Sequence, residues 1–157
     1  MRLRRALDHG VHVIMAHCAS LGDGIDLDRG PDSPAVSNFK LFARLMDEPR
    51  YARLLYGDLA AVGQLLRAGD TLRTLLARRD WHGRLMYGSD YPLPGVMPIF
   101  SPRGLATDGF LKQEEALFLS ELRRYNPLLF DFALKRLLAV DGRGFDTAVF
   151  ESRRVFA

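Results

Sequence analysis

Three short apolar runs, separated by segments with helical periodicity, constrain the fold of this chain more than any other feature. Residues 11–16, 53–58 and 85–87 are each short enough for a buried strand. The amphipathic segments between them predict helices over residues 38–47, 59–67 and 71–79. Strands that alternate with helices usually pair in parallel through right-handed crossovers. The pattern therefore predicts an α/β fold with a parallel sheet, whose first strand, β-branched and apolar, is buried on both faces.

The chain after residue 110 is predicted to be helical. Residues 111–125 show one apolar stripe, which consists of Leu111, Phe118, Leu122 and Tyr125. Asn126 suits the N-cap of the next helix and Pro127 its first position. Residues 128–138 are apolar almost all round, so we expect this last helix to be buried between other elements.

Residues 21–37 are rich in glycine, proline and aspartate and predict a loop. Their aspartates do not follow the EF-hand pattern, so a lid or binding loop is favoured over a calcium site. Asn38 is expected to cap the helix that follows this loop, and Asp70 is expected to cap the helix over residues 71–79.

The composition is that of an ordinary globular protein. The chain has 157 residues, 48% hydrophobic and 26% charged, with a net charge of +3. Its arginine pairs are spread along the chain, which disfavours a nucleic-acid partner. Cys18 is the single cysteine, which excludes an intrachain disulfide and a cysteine-rich zinc site. No apolar run is long enough to span a bilayer and no secretory signal is recognisable, so no membrane partner and a cytoplasmic location are expected.

Polar residues follow each predicted strand at its C-terminal end. His17 follows the first strand, Asp58 ends the second, and Asp90 comes shortly after the third. This end of a parallel sheet is where α/β proteins bind ligands. Asp90 there could bind a divalent metal or accept a proton, or it could simply cap the turn after it. Tyr91 and the proline-rich loop beyond it could line a substrate pocket, or Tyr91 could pack on a rigid turn.

Four stretches resemble the C-terminal part of the amidohydrolase-related family of metal-dependent hydrolases. The stretches are Ala16-His17-Cys18-Ala19-Ser20, Leu55-Tyr56-Gly57-Asp58, Gly88-Ser89-Asp90-Tyr91-Pro92 and Asn126-Pro127-Leu128-Leu129-Phe130-Asp131. The resemblance implies that residues 1–157 are the C-terminal portion of a (β/α)8 TIM barrel. That portion comprises about the last three parallel strands with their helices, and the C-terminal helices.

The resemblance also implies a chemistry and a site. His17 corresponds to the strand-six histidine that faces the metal-bound water, and Asp90 to the strand-eight aspartate that ligates the metal and takes a proton from that water. Tyr91, next to Asp90, is the candidate substrate-binding residue by its position and not by the resemblance. The expected cofactor is a divalent metal, zinc above all. The expected reaction on a small-molecule substrate is hydrolysis of a C–N or C–O bond, or decarboxylation.

The chain departs from the family pattern because it has no His-x-His pair, the first-strand metal ligands of the family. His12 is expected in the core, His9 at a helix end, and His82 at the far end of its strand. A catalytic zinc needs about three protein ligands, and a barrel has roughly 250 residues. We therefore expect a truncated chain that is inactive alone and binds zinc or manganese weakly.

Two other functions fit the sequence. One is a non-catalytic remnant or interaction domain that self-associates or binds a partner, because the outer strands 11–16 and 85–87 would expose unprotected edges. The other is a small α/β domain that binds a phosphorylated ligand. It ranks lower, because the glycines of residues 21–37 open a loop instead of a helix N-terminus.

Overall fold

A computed structural model describes residues 2–156 of the chain, with helices and short strands in alternation. The helices are α1 (Arg2–Asp8), α2 (Asn38–Met46), α3 (Asp70–Ala77), α4 (Pro102–Thr107), α5 (Gln113–Tyr125) and α6 (Pro127–Leu137). The strands are β1 (Val13–Met15), β2 (Asp23–Ile25), β3 (Ala35–Ser37), β4 (Leu55–Asp58), β5 (Leu85–Met86), β6 (Ala139–Val140) and β7 (Arg143–Gly144). No described helix is both long and apolar enough to cross a membrane.

The central sheet has the strand order β1-β4-β5, and both pairings are parallel. Val13 pairs with Leu55 and Gly57 pairs with Leu85, so the three carboxyl ends meet at one edge. The predicted α/β class and parallel sheet are confirmed. The expected burial of the first strand on both faces is wrong, because Ile14 in β1 is 38% exposed. Val13 and Met15 on either side of it are only half-buried.

Residues 21–37, predicted to be a loop, contain the antiparallel hairpin β2-β3, so that prediction is wrong. Asp26 anchors the hairpin to α2, since its carboxylate accepts hydrogen bonds of 2.7 and 2.6 Å from Arg44. Arg44 lowers the pKa of the buried Asp26 to about 2. This aspartate therefore serves an ion pair that fixes the hairpin.

The helix predicted over residues 59–67 is absent, because the backbone there finds partners outside a helix. Leu59 N donates to the Met86 carbonyl oxygen at 2.8 Å, which prolongs the sheet ladder. Leu65 N donates to the carbonyl oxygen of Ile99 at 3.0 Å. The segment forms successive turns, in which residues 59–62 are buried whereas Leu65 and Leu66 are 53% and 82% exposed.

Two of the three predicted helix caps are wrong. Helix α2 begins at Asn38 with Ser37 in the cap position, and α3 begins at Asp70 with Gly69 in the cap position. Asn126 does cap α6, since its Oδ1 accepts a 2.9 Å hydrogen bond from Leu129 N, and Pro127 is the first helical residue. The Asn-Pro pair fixes this boundary because proline suits only the first turn of a helix.

Helices α5 and α6 bury other faces than the sequence predicts. In α5 the buried residues include Leu119 and Arg123, whereas Phe118 and Tyr125 of the predicted stripe are 57% and 78% exposed. Helix α6 is not buried all round, because Leu128, Leu129 and Phe132 are exposed. Its most buried residues include two charged ones, which apolar periodicity cannot anticipate.

The C-terminal segment covers the edge of β5. Tyr87 N donates to the Val149 carbonyl oxygen at 2.8 Å, and Ser152 Oγ donates to the Tyr87 carbonyl oxygen at 3.2 Å. Arg154 adds a 3.0 Å hydrogen bond to the Leu85 carbonyl oxygen. The expectation that both outer strands are open is therefore wrong for β5, and β1 is the uncovered edge among the described residues.

Candidate active site

His17 lies in a strained turn directly after β1. His17, Cys18 and Ala19 have φ values of 54°, 50° and 52°, a left-handed conformation that residues with a Cβ rarely adopt. The turn places Cys18 beneath β4, where its thiol contacts the Asp58 carbonyl oxygen at 3.1 Å. A Cβ at Gly57 would lie 2.7 Å from Cys18 Sγ, so only glycine leaves room for this turn. Such strain often accompanies a functional position.

The carboxylate of Asp58 stabilises this turn by hydrogen bonds to backbone N–H groups. Its Oδ1 accepts hydrogen bonds from His17 N at 3.0 Å and Ala60 N at 2.9 Å. The sequence places Asp58 at the sheet edge but assigns it no role. The structure gives it the role of fixing the backbone that presents the His17 ring.

Asp90 meets His17 across the end of the central strand. The distance from Asp90 Oδ2 to His17 Nε2 is 3.6 Å, and each side chain is just over a quarter exposed. Asp90 itself has a φ of 56°. The alternative role of turn cap belongs instead to Ser89, whose Oγ accepts a hydrogen bond from Tyr91 N at 3.3 Å. The two side chains singled out from the sequence therefore come together, although they are 73 positions apart in the chain.

Tyr91 lies beside this pair in sequence and is 62% exposed. Its ring therefore does not pack on the turn as a core residue would.

A buried ion pair, which the apolar pattern of α6 does not indicate, lies behind the site. Asp131 and Lys135 are fully buried in α6, and Lys135 Nζ lies 2.6 Å from Asp131 Oδ2. Lys135 Nζ also donates to the Gly88 carbonyl oxygen at 2.8 Å, and it lies 5.2 Å from the centre of the Tyr87 ring. Lys135 thus ties the segment that leads to Asp90 to the last long helix.

Burial shifts the ionisation of all three side chains behind the site. It raises the pKa of Asp131, lowers the pKa of Lys135, and raises the pKa of Tyr87. In each case the low-polarity surroundings disfavour the charged form, and the ion pair opposes that shift for Asp131 and Lys135. Their i, i+4 spacing on an apolar helix was the sequence signal that could have revealed the pair.

The remaining histidines lie apart from this site. His9 Nδ1 lies 2.7 Å from the Arg5 carbonyl oxygen, close to the end of α1, as expected. His82 is buried, with Nε2 3.0 Å from the Leu75 carbonyl oxygen, at the N-terminal end of β5 as expected. His12 was expected in the core, and that is wrong: it is exposed just before β1 and lines a surface cleft with Tyr56 and Val155.

The residues present supply part of a metal site. His17 and Asp90 are donors of the type that binds zinc, and they face each other at the strand ends. Within residues 2–156, no group of three or more histidine, cysteine, aspartate or glutamate side chains could hold a metal ion. Because a catalytic zinc takes about three protein ligands, this donor set does not by itself complete one.

Comparison with known proteins returned no relative. No protein-family model matches the chain, and neither a curated protein nor a solved structure does. The resemblance described from the sequence therefore rests on the four stretches named there, of which His17 and Asp90 are the chemical part.

Proposed function

We propose that this chain carries part of the active site of an amidohydrolase-related, metal-dependent hydrolase. In this proposal β1, β4 and β5 are the last three strands of a (β/α)8 barrel, and α1 to α6 belong to its outer layer. The observation that supports it is the 3.6 Å approach of His17 Nε2 to Asp90 Oδ2 at the carboxyl ends of parallel strands. Barrel enzymes keep their catalytic residues at that end.

The two side chains have complementary roles in this reaction. Asp90 accepts a proton from water and would be the ligand that this chain contributes to the metal, while His17 orients the water or stabilises charge on the attacked carbonyl. Metal binding would lower the pKa of water to about 7. Asp58 keeps the His17 backbone in place, and Lys135 keeps Gly88 in place. Further ligands must come from outside residues 2–156.

The test is to supply the missing ligands. The chain is mixed with a polypeptide that carries the family's His-x-His strand and its neighbours, and hydrolysis of ester and amide substrates and decarboxylation are followed with added zinc. We expect no turnover from the chain alone and zinc-dependent turnover from the mixture. Asp90→Asn should lower that rate by roughly 10²–10⁴-fold, the size usual for a lost proton acceptor.

His9→Gln is the matched control for His17→Ala, because His9 lies at the end of α1 and away from the site. His17→Ala should lower the rate, by less than Asp90→Asn, and His9→Gln should leave it unchanged. Equal turnover from the unaltered mixture and from both site variants would refute the site assignment. Submicromolar zinc binding by the chain alone, lost in Asp90→Asn, would refute the incomplete site.

A second candidate function is an interaction domain that pairs with a second copy of itself. The observation that favours it is the uncovered edge of β1, in which Ile14 is 38% exposed, with Val11 just before the strand 49% exposed. Beside them lies a cleft of about 370 Å³, lined by His12, Tyr56 and Val155 among others. An apolar strand edge without lysine, proline or a bulge readily pairs with another strand.

A further inference from the structure

A cavity of about 700 Å³ lies outside the candidate active site. Its apolar wall includes Leu65, Met97 and Phe100, contributed by the turns after β4 and by the proline-rich segment after Asp90. Helices α4 and α5 and the first residue of α6 complete it. His17, Asp58, Asp90 and Tyr91 are not among its lining residues. Its volume lies in the range of roughly 300–1,000 Å³ typical of sites for small molecules.

Three arginines line this cavity, and no acidic residue does. Arg123 is buried, with 9% of its surface exposed, and its Nη1 donates to the Phe100 carbonyl oxygen at 2.9 Å. Its guanidinium group lies 5.3 Å from the centre of the Phe130 ring. Arg103 and Arg124 are exposed. None of the three forms an ion pair within the described part of the chain, whereas Arg4 and Arg44 each contact carboxylates.

The missing counter-charge is the decisive feature. Burial lowers the pKa of Arg123, which means that its surroundings disfavour its positive charge. A buried cation that is hydrogen-bonded but faces no opposite charge is costly, and a bound anion would relieve that cost. Guanidinium groups bind carboxylate and phosphate through paired hydrogen bonds, so either head group matches this wall. The apolar wall opposite matches a hydrocarbon or aromatic body.

We propose that this cavity binds a small amphiphilic anion, with its carboxylate or phosphate at Arg103, Arg123 and Arg124 and its apolar body against Leu65, Met97 and Phe100. The site is independent of the proposed hydrolase, because it shares no residue with His17 and Asp90. Anion binding in the cavity is therefore expected whether or not the chain takes part in catalysis.

Isothermal titration calorimetry tests this with three ligands of equal chain length: octanoate, octyl phosphate and 1-octanol, each below its micelle concentration. At low salt we expect both anions to bind about tenfold or more tightly than the alcohol, because charge-assisted hydrogen bonds are lost with the alcohol. Raising the ionic strength should weaken the anions selectively. The tighter of the two anions identifies the natural head group as carboxylate or phosphate.

The double variant Arg103→Gln/Arg124→Gln should weaken anion binding about tenfold and leave 1-octanol binding unchanged, since both arginines are exposed and act by charge. Arg143→Gln is the matched control, because Arg143 is an exposed arginine on β7, outside the cavity, and should bind like the unaltered chain. Arg123→Lys keeps the charge but loses the paired geometry and should weaken both anions. Equal affinity for the alcohol and the anions, or an unchanged affinity in the double variant, would overturn the proposal.

Discussion

Lys135 and Asp131 form an ion pair that water does not reach, and Lys135 also bonds the Gly88 carbonyl oxygen. Lys135→Met should lower the free energy of unfolding by about 3–5 kcal/mol, because it leaves a buried carboxylate without a partner. The double variant Asp131→Leu/Lys135→Met removes both charges and should cost less than half as much. Urea denaturation measures both.

Arg50→Ala is a suitable control for that cycle, since Arg50 pairs with Glu48 on the surface, with more than half of the Arg50 side chain exposed. Its cost should stay within about 1 kcal/mol, as for other exposed pairs. A Lys135→Met cost as small as this would show that the buried pair contributes little.

Asp26 gives the fold a dependence on acid. Its pKa lies at about 2 in the folded chain, below the ordinary 3.8, because Arg44 hydrogen-bonds its charged form. The folded state then binds that proton less readily than the unfolded chain, so the contribution is complete above about pH 4 and is lost as the pH falls towards 2. In Asp26→Asn the free energy of unfolding should fall less over this interval. Identical slopes for the two chains would contradict the assignment.

At the scale of single elements, Asn126 illustrates a boundary that the sequence could specify. Asn126→Ala should lower the free energy of unfolding by about 1 kcal/mol, because Leu129 N loses its cap. Asn38→Ala is the informative comparison, since Asn38 was expected to be a cap but is the first residue of α2. Its cost, measured by the same thermal or urea unfolding, should be smaller. Equal costs would mean that the hydrogen bond at Asn126 is not a stabilising cap.

Elements set by local chemistry were predictable, and elements set by distant contacts were not. The three parallel strands follow from their apolar runs, and the start of α6 follows from Asn126-Pro127. The segment 59–67 has helical periodicity, but its N–H groups bond to Met86 and Ile99, which are far away in the chain. The buried face of α5 differs from the predicted stripe for a related reason: Arg123 is buried against Phe100 and Phe130, and a charged residue carries no apolar signal.

The candidate site was also predictable only in part: its strand-end residues were, and the ion pair behind it was not. His17 and Asp90 could be found because both follow short apolar runs, and strand ends converge in a parallel sheet. Asp131 and Lys135 follow no strand; their i, i+4 spacing indicates that they can pair, but the complete burial of that pair depends on how α6 packs.

At the scale of the whole molecule, the uncovered edge of β1 is where we expect a second chain to pair. The β5 edge is already bonded to Val149 and Ser152, so a second chain would pair along β1. We expect the chain to be dimeric or larger at micromolar concentration in size-exclusion chromatography with light scattering. Ile14→Lys should shift it towards the monomer, because lysine on an edge strand opposes pairing.

Leu66→Lys is the control for that experiment, since Leu66 is 82% exposed but lies outside the central sheet. It should leave the association unchanged. A cooperative monomer from the unaltered chain, with no binding of a hydrophobic dye, would instead indicate that β1 needs no partner.

Cys18 carries the single thiol, which lies against Gly57 with no exposed surface. The rate at which this thiol reacts therefore measures local opening of the structure. Burial also raises the pKa of Cys18, and only the thiolate reacts with thiol reagents. The folded chain therefore protects the thiol both by enclosing it and by keeping it protonated. Labelling must wait until the turn that carries His17 lifts off β4. The time course of a thiol reagent would therefore report how often this end of the sheet opens, without any introduced label. A ligand that holds the His17 turn against β4 should lower the labelling rate of Cys18.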